Sequence, residues 1–313
     1  MNRVLVTGGS GSFGHAFIRR LMMTTDCTAI VYSRDEQKQE TMARDFTVYA
    51  ERLRFFIGDV RDVRRLTTAC HRVDTIVHAA ALKIIPALEY NPTEAVKTNV
   101  LGAMNVVDAA LANGTATVCA LSSDKATQPV NLYGATKLVA EKVFSAANDY
   151  GGRSTRFIGT RYGNVAGSRG SVIPVWAAAL ARGEPIRVTD PEMTRFWMTL
   201  DEAVQLVLDT IAGAKPGEVW VPELPAYRLG DLAEAMAPGA PIEAIGIRPG
   251  EKRHESMIGL DESAFAAERP GGYRLLPPGS PAVNGGAWEL RSDLVRRMMV
   301  AELADRLTPV MSA

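Results

Sequence analysis

Two pairs of polar residues near the middle of the chain carry the side chains best suited to acid–base chemistry. Tyr133 and Lys137 are four positions apart in the run Tyr-Gly-Ala-Thr-Lys, so they share one face if this run is helical. An ammonium near a phenol stabilises phenolate and helps it to move a proton. Asp124 and Lys125 stand just before them and add an acid and a candidate base. The four residues together predict hydride transfer combined with an elimination.

The elements that must position these residues follow an alternating pattern. Strands are expected at residues 3–7, 29–32, 53–57, 75–78, 117–121 and 155–162, and helices at 14–23, 95–113, 136–150 and 200–212. Such alternation is typical of parallel strands joined by helical crossovers. The sequence therefore predicts an α/β fold with a Rossmann-like, doubly wound sheet, in which Asp124 and Lys125 follow the fifth strand.

Glycine and proline break this pattern after about residue 164, which is typical of a second domain. We expect residues 1–165 to form a dinucleotide-binding domain, with a return segment at about 196–220. Residues 166–195 and 221–313 are then a smaller, discontinuous substrate-binding domain. The Gly- and Pro-rich stretch 270–286 is expected to be a loop.

A glycine-rich run follows the first expected strand directly and opens the first helix. Gly8, Gly11 and Gly14, with Ser12 and Phe13 between them, allow a tight turn and a close approach of backbone amides to a pyrophosphate. A glycine triplet alone also fits a turn without a ligand. Its place at the first strand-to-helix junction favours a dinucleotide site.

The end of the second strand discriminates between NADP and NAD. Ser33, Arg34 and Lys38 suit a 2′-phosphate, whereas an acid at the strand end would bind the ribose 2′-hydroxyl. Asp35 lies one or two positions beyond the usual acid. The sequence favours NADP, with NAD as the alternative.

Two further strand ends complete the expected cofactor site. Asp59 and Val60 follow the third strand, where an Asp either meets the adenine amino group or is an ordinary loop residue. Small side chains after the fourth strand would let a nicotinamide lie close; they belong to Ala79, Ala80 and Ala81. We interpret His78 as a structural residue, because a lone His is more often a satisfied hydrogen-bonding group than a catalyst.

Composition excludes several classes of protein. The 313 residues hold 35 Lys and Arg against 35 Asp and Glu, so no overall field favours nucleic acid or an anionic membrane. No apolar run has the length of a membrane span, and residues 1–6 resemble a strand rather than a signal peptide, which predicts a cytoplasmic protein. Three Cys without Cys-x-x-Cys spacing and four His favour core packing over disulfides, and we expect no metal site.

The chain resembles the extended short-chain dehydrogenase/reductases, and among them the inverting UDP-N-acetylglucosamine 4,6-dehydratases of pseudaminic acid biosynthesis. The resemblance covers about residues 3–260 and leaves out the tail beyond about 275. The matching stretches are TGGSGSFG from Thr7, YSRDEQKQ from Tyr32, FFIGDVRD from Phe55, HAAALK from His78, EYNPTEAVKTNVLGAMNV from Glu89, SSDKATQPVNLYGATKL from Ser122, RYGNVAGSRGSVIP from Arg161, MTRFWMTLDEAV from Met193 and IGIRPGEKRHESMI from Ile245.

The resemblance implies a route and a role for each matching residue. C4 of the sugar is oxidised by NADP, water is eliminated across C5 and C6, the hydride returns to C6, and C5 is reprotonated from the opposite face. Asp124 matches the acid at the C6 hydroxyl, Lys125 the base at C5, and Tyr133 with Lys137 the redox pair. These roles require a protonated Asp124 and a neutral Lys125, so we expect no simple ion pair between them, since adjacent extended residues point to opposite sides.

One position refines the resemblance and two depart from it. Tyr133 stands where the retaining dehydratases and related epimerases typically have Met, which favours the inverting branch. Ser123 replaces the usual Thr before Asp-Lys and keeps its hydroxyl beside the catalytic pair. Ile84 replaces a His, and its loss of a polar group is expected to alter rate or sugar preference.

The resemblance also implies substrate contacts and an assembly. Donors for a nucleotide sugar, UDP-GlcNAc in the first place, are expected at Lys83, Thr98, Asn164, Thr194, Arg195 and Arg248. Lys83, Val165 and Arg169 are expected near the cofactor, whereas Glu251 and His254 have no assigned chemical role. A homo-oligomer is implied by the same resemblance.

Three alternatives to this interpretation remain open at the level of sequence. A nucleotide-sugar 4-epimerase or reductase would need only Tyr133 and Lys137, and Asp124-Lys125 argues against it. A variant dehydratase on the same fold would carry out an alternative elimination, for example a 5,6-dehydration instead of the 4,6-dehydration. A catalytically silent NADP-binding regulator would not need the intact Tyr/Lys pair.

Overall fold

The computed structural model describes residues 1–150, 154–168 and 170–311. The strands are β1 Arg3–Thr7, β2 Thr28–Ser33, β3 Leu53–Ile57, β4 Thr75–His78, β5 Thr117–Leu121, β6 Arg156–Thr160, β7 Ile186–Val188, β8 Thr194–Phe196, β9 Val219–Pro222, β10 Ala226–Arg228, β11 Ile242–Ala244, β12 Ser256–Ile258, β13 Ala266–Arg269, β14 Gly272–Leu275 and β15 Leu290–Arg291. The helices are α1 Ser12–Thr24, α2 Glu36–Asp45, α3 Val63–Ala69, α4 Ile85–Tyr90, α5 Pro92–Ala95, α6 Gly102–Asn113, α7 Leu132–Tyr150, α8 Val172–Ala181, α9 Leu200–Gly213, α10 Leu229–Met236, α11 Leu260–Ser263 and α12 Val300–Met311. Short 3₁₀ helices at Thr47–Arg52 and Asp124–Ala126 and a π-helical turn at Val96–Leu101 complete the chain.

Within the described residues, nine strands form one sheet in the order β13-β14-β9-β6-β5-β4-β1-β2-β3. The seven strands from β9 to β3 run parallel, and β14 and β13 are antiparallel additions at one edge. Parallel strands buried on both faces are continuously apolar, which is why the runs of Val, Ile and Leu in β1, β4 and β5 could be recognised in the sequence. The predicted α/β, doubly wound fold is confirmed.

Helices cover both faces of this sheet. One core cluster joins the sheet to α1 and α9, through side chains such as Phe17 and Val204. The other joins it to α3, α6 and α7, through Leu66, Val106 and Phe144. The expected return of the chain at 200–212 is therefore observed as α9, which packs beside α1.

The strand order reverses beside β1, and this reversal places the functional cleft. β1 pairs with β2 on one side and with β4 on the other, so the crossovers from these strands leave in opposite directions. Ligands of open α/β sheets bind in the crevice that forms there, at the carboxyl ends of the strands. The glycine-rich turn and the predicted site residues after β2, β3, β4 and β5 all follow such strand ends.

The later part of the chain adds a smaller layer with its own core. Small two-stranded sheets pair β7 with β11, β8 with β10, and β12 with β15, and a third cluster packs around Trp176, Trp197 and Leu232. The hairpin β13–β14 instead extends the large sheet, although the sequence division assigned residues 266–275 to the smaller domain and expected a loop at 270–286. The hairpin belongs to the large sheet because β14 pairs with β9, and amino-acid composition does not encode this pairing.

No helix within the described ranges combines the length and the apolar composition that a bilayer crossing requires.

Candidate active site

A cleft of about 800 Å³ opens at the carboxyl edge of the parallel strands. Its volume lies in the range of small-molecule sites, and its lining comes from both the sheet and the later, smaller layer. The predicted site residues that line it are Gly8, Gly11, Ser12, Phe13, Gly14, Ser33, Arg34, Lys38, Asp59, Val60, Ala79, Ala80, Ala81, Lys83, Thr98, Ser123, Asp124, Lys125, Tyr133, Lys137, Asn164, Val165 and Arg248. Arg169 lies outside the described residues.

The glycine-rich turn between β1 and α1 has a shape that only glycine permits. Gly8 has a φ of +67°, and a Cβ there would stand 3.0 Å from the Ala80 backbone. A Cβ on Gly14 would stand 2.5 Å from Gly9, so the turn and the helix are in direct backbone contact. Gly11 precedes α1 without a side chain that could cap the helix amides. This cradle fits the pyrophosphate of a dinucleotide.

The end of β2 presents cations and a hydroxyl to the cleft. Ser33 Oγ accepts from Ser10 Oγ at 2.9 Å, and Arg34 Nη1 lies 3.5 Å from Asp59 Oδ2. Asp35 is the N-cap of α2, where its Oδ1 accepts from the Lys38 amide at 2.9 Å, and its other oxygen pairs with Lys38 Nζ. The acid nearest to the ribose position is therefore already engaged in capping.

His78, the last residue of β4, has the structural role that the sequence favoured. It is buried, and its Nδ1 lies 2.8 Å from Thr7 Oγ1 on the neighbouring strand. Burial, assisted by the charge of Lys137, lowers the pKa of His78 to about 3. The ring is therefore neutral at physiological pH and links two strands.

Helix α7 brings Tyr133 and Lys137 to the cleft on adjacent turns. It begins at Leu132, four residues earlier than expected, because the Asn131 side chain accepts from the Gly134 amide at 2.8 Å. Lys137 is buried and its Nζ donates to the Leu121 carbonyl; burial, partly opposed by Glu141, lowers its pKa to about 8. Tyr133 and Lys137 therefore lie on one helix, and both line the cleft.

Burial raises the pKa of Tyr133, while the positive charge of Lys125 acts against this rise. The cation that favours the Tyr133 phenolate is thus Lys125 from the preceding 3₁₀ helix, whereas the sequence predicted Lys137 for this role. Lys125 therefore belongs to the environment of the phenol as well as to that of Asp124.

The side chains of Asp124 and Lys125 contact each other, which corrects the expectation that they would point apart. Residues 124–126 form a 3₁₀ helix rather than an extended strand, so Lys125 Nζ reaches Asp124 Oδ1 at 3.2 Å. Ser123 Oγ donates to the same oxygen at 2.8 Å. Burial raises the pKa of Asp124, although Lys125 opposes this. Burial lowers the pKa of Lys125, but the charges of Asp124 and Glu255 outweigh burial and raise it.

Glu255 is a member of this cluster that the sequence reasoning missed. Its Oε1 lies 3.3 Å from Lys125 Nζ and 3.8 Å from Arg195 Nε, and the residue is only 3% exposed. Burial would raise the pKa of Glu255, but Lys125, Arg195 and Lys252 lower it. The signal lay in the stretch GEKRHE, where a carboxylate follows Lys252, Arg253 and His254 within a matching motif. Only the fold shows that this stretch lies against Lys125.

Two close contacts fix the 3₁₀ helix of the cluster. A Cβ on Gly134 would stand 2.1 Å from the Lys125 carbonyl oxygen, so α7 touches this turn directly. Arg161 is buried and donates to Thr127 Oγ1, and it forms ion pairs with Glu141 at 2.6 Å and Glu262 at 2.7 Å. The 3₁₀ helix at 124–126 therefore contacts α7 directly, and the Arg161 charge network binds the residue that follows it.

The predicted substrate residues fall into two groups. Thr98 Oγ1 and Asn164 Oδ1 are buried beside the cleft and lack a hydrogen-bond partner in the described part of the chain, which suits them to a ligand. Thr194 and Arg195 do not line the cleft. The hydroxyl of Thr194 instead bonds His254 Nδ1 at 2.8 Å and Ser292 Oγ at 2.6 Å, and Arg195 faces Glu255.

Comparisons with known sequences identify a family and relatives of this chain. A model of the family described as polysaccharide biosynthesis protein matches residues 4–276. An inverting UDP-N-acetylglucosamine 4,6-dehydratase of Campylobacter jejuni subsp. jejuni serotype O:2 is 48% identical over 277 residues, which cover 88% of this chain and 82% of the relative. A UDP-glucose 4-epimerase of Rickettsia felis is 42% identical over 281 residues, which cover 87% and 82%.

Solved structures give the same result for the fold. The X-ray structure of Pen from Bacillus thuringiensis superposes with a TM-score of 0.93 at 36% identity and covers 98% of both chains. DesIV, a dTDP-glucose 4,6-dehydratase from Streptomyces venezuelae with NAD and TYD bound, shares the fold at a TM-score of 0.72 and 23% identity, over 80% of this chain and 86% of DesIV. The family match across most of the chain, together with these relatives, shows that the chain belongs to the polysaccharide biosynthesis protein family of extended short-chain dehydrogenase/reductase fold.

Proposed function

We propose that the chain is a nucleotide-sugar 4,6-dehydratase that acts on UDP-GlcNAc and inverts C5. The observation that carries this proposal is one cleft that holds Tyr133 and Lys137 together with a second acid and base, Asp124 and Lys125. Oxidation and reduction at C4 need only the first pair. The relative at 48% identity carries the corresponding name.

NADP is the cofactor that the residues fit, with NAD as the weaker candidate. The Gly8–Gly14 turn would hold the pyrophosphate, Ser33 and Arg34 the 2′-phosphate, and the small residues after β4 would leave room for the nicotinamide. Engagement of Asp35 in capping α2 disfavours the hydroxyl contact that NAD requires. When bound, this cofactor supplies reversible hydride transfer at the sugar.

The protein's own groups divide the proton transfers among them. Tyr133 takes the proton of the C4 hydroxyl, with Lys125 and Lys137 as the cations that favour its phenolate. The resulting C4 ketone makes the C5 hydrogen acidic, and Lys125 removes it. Asp124 donates a proton to the C6 hydroxyl, which leaves as water. Each role requires contact with the cleft, and all four side chains line it.

Lys125 must be neutral when it takes the C5 proton. Because its pKa is raised in the ligand-free site, its proton must pass to a neighbouring group first. Two buried carboxylates, those of Asp124 and Glu255, lie within 3.3 Å of Nζ. The site therefore contains an acceptor for this proton without solvent.

Substrate recognition is proposed for the unpartnered polar groups and cations of the cleft. Thr98 and Asn164 offer buried hydrogen-bonding atoms, and Lys83 and Arg248 offer charge to the sugar and the diphosphate. The alternative product, an epimer, is favoured by the names of several Rickettsia relatives that are 40–42% identical to this chain. A 4-epimerase has no use for Asp124.

Incubation with UDP-GlcNAc and NADP in deuterated water tests the proposal. We expect loss of one water in the mass spectrum, a new C6 methyl signal, deuterium at C5 and inverted C5 configuration. Unchanged mass with altered C4 configuration would instead establish an epimerase. Loss of water without a new methyl signal would indicate a different elimination, in which the hydride does not return to C6.

The proposal includes a cytoplasmic homo-oligomer that works in pseudaminic acid biosynthesis, as the sequence resemblance implies. Met104 on α6 and Val139 on α7 are both 45% exposed and offer apolar surface to another copy. Light scattering of the purified protein measures the oligomeric state, and a monomeric mass at micromolar concentration would contradict this part of the proposal.

A further inference from the structure

The cluster around Lys125 contains two carboxylates, and the proposed chemistry assigns a role of its own to Asp124 alone. Asp124 and Glu255 both contact Lys125 Nζ, at 3.2 and 3.3 Å. Asp124 lines the cleft, whereas Glu255 does not. Glu255 can therefore act on a ligand only through Lys125.

The surroundings of the two carboxylates are unequal. Glu255 faces a second cation, since Arg195 Nε is 3.8 Å from its Oε1, and its backbone is fixed to Ser292 by bonds of 3.0 and 2.8 Å. Asp124 receives Ser123 Oγ and Lys125 on Oδ1, so it contacts one cation rather than two. The other oxygen of each carboxylate, Asp124 Oδ2 and Glu255 Oε2, is buried without a partner among the described residues. Because the second cation favours the ionised form of Glu255, a proton shared by the two groups is held at lower cost on Asp124.

We propose that Glu255 is the positioning residue of the elimination: it carries the negative charge that pairs with Lys125 at rest, and it accepts the Lys125 proton before the C5 step. This inference rests on the proposed dehydratase function. At rest the proton stays on Asp124. In the C5 step one proton moves from Nζ to Glu255 Oε1, Nζ takes the C5 hydrogen as a proton, and Asp124 gives its proton to the C6 hydroxyl, which leaves as water.

The directions of the pKa shifts agree with this distribution of charge. Burial and the nearby Glu255 raise the pKa of Asp124, whereas the cations lower the pKa of Glu255 against the effect of burial. Five charged or titratable groups face the two carboxylates from the elements packed against them. They are Lys125, Tyr133, Arg195, Tyr227 and Lys252.

Infrared difference spectroscopy of the ligand-free protein tests where the proton rests. We expect a carboxylic acid carbonyl band near neutral pH that is absent from Asp124→Asn. In Glu255→Gln the band should disappear at a lower pH than in the wild type, because removal of the neighbouring negative charge makes Asp124 ionise more readily. Absence of the band from the wild type, or its survival in Asp124→Asn, overturns the resting assignment.

Turnover in deuterated water tests the proton acceptor. In Glu255→Gln we expect C4 oxidation within about ten-fold of the wild type, and C5 exchange and water loss slower by about 100-fold, with partial recovery in Glu255→Asp. Glu218→Gln is the matched control, because Glu218 is also 3% exposed and paired with one Arg but lies away from the cleft.

The outcomes separate the two proposals. Exchange and water loss at wild-type rates in Glu255→Gln would show that Asp124 accepts the Lys125 proton, and would overturn the role of Glu255 while the dehydratase function stands. A wild-type protein that removes no water from UDP-GlcNAc refutes the function, whereas the infrared experiment on the wild type still reports the resting charge. That experiment does not depend on the folding of Glu255→Gln.

Discussion

Lys137 illustrates how single residues of the cleft oppose the stability of the fold. Its side chain is buried, and its ammonium donates to a backbone carbonyl rather than to a carboxylate. Burial lowers its pKa from 10.5 to about 8, so the folded state binds this proton less tightly than the unfolded chain. The charged form of Lys137 therefore lowers the stability of the folded protein, although it lies beside Tyr133 in the cleft.

We predict that Lys137→Met stabilises the ligand-free protein and removes its activity. At pH 7 the free energy of unfolding should rise by about 1–2 kcal/mol, after subtraction of the lost carbonyl hydrogen bond. The destabilisation is complete below the folded pKa of about 8 and vanishes above 10.5, so the difference from the wild type should shrink across that interval. Urea unfolding at several pH values measures it. The exposed Lys142→Met on the same helix is the control, and lower stability of Lys137→Met at pH 7 would contradict the prediction.

The acid and the base of the elimination should be separable by substitution. Asp124→Asn keeps the shape of the side chain but has no proton to donate, so we expect water loss to fall by about 10²–10⁴-fold while deuterium still enters C5. Lys125→Gln should lose both reactions, because the base itself is missing. Proton NMR in deuterated water follows both reactions in one sample. Equal loss of exchange in the two variants would show that Asp124 and Lys125 act as one inseparable group.

At the scale of elements, the position of α7 against the 3₁₀ helix at 124–126 sets the geometry of the site. Gly134 permits this contact, because a Cβ there would stand 2.1 Å from the Lys125 carbonyl oxygen. The backbones of these two elements, which carry Asp124, Lys125, Tyr133 and Lys137, are thus in direct contact. A displacement of one against the other changes every distance among those side chains.

We predict that Gly134→Ala moves α7 away from this turn. The added methyl group should lower the free energy of unfolding by about 1–3 kcal/mol and the rate of dehydration by about 10²-fold, since misplacement by about 1 Å has that effect. Gly285→Ala is the control, because a Cβ there meets nothing within 4 Å. Denaturant titration and a dehydration assay measure both effects. Full activity in Gly134→Ala would exclude the contact as the element that sets the site.

The elements also show what the sequence could and could not predict. Strands β1, β4 and β5 were recognisable because buried parallel strands are apolar at every position. The β13–β14 hairpin was missed because its place depends on pairing with β9, which composition does not encode. The Asp124–Lys125 contact was missed because a local 3₁₀ turn replaced an extended backbone, and Glu255 because its contact with Lys125 depends on the packing of distant segments.

At the scale of the whole molecule, the cleft joins the sheet to the smaller layer. Its lining runs from Gly8 after β1 to Arg248 between β11 and β12. A ligand that fills the cleft contacts both parts and binds the folded state alone. Cofactor binding should therefore raise the stability of the entire chain, by about 2.7 kcal/mol at a concentration one hundred times the Kd.

We predict that this stabilisation is larger with NADP than with NAD, and that Arg34→Ala removes the difference. Arg34 lines the cleft with a half-exposed guanidinium 3.5 Å from Asp59, so a 2′-phosphate can reach it. Loss of one charged hydrogen-bonding group should weaken NADP binding by about 10–100-fold and leave NAD binding within about two-fold. Thermal unfolding at matched concentrations of each dinucleotide, with calorimetry for the Kd, measures this preference.

The control Arg44→Ala removes an exposed guanidinium from α2 that does not line the cleft. An equal loss of NADP and NAD affinity in Arg34→Ala would assign Arg34 to the adenosine or the pyrophosphate, and tighter binding of NAD by the wild type would reverse the cofactor assignment.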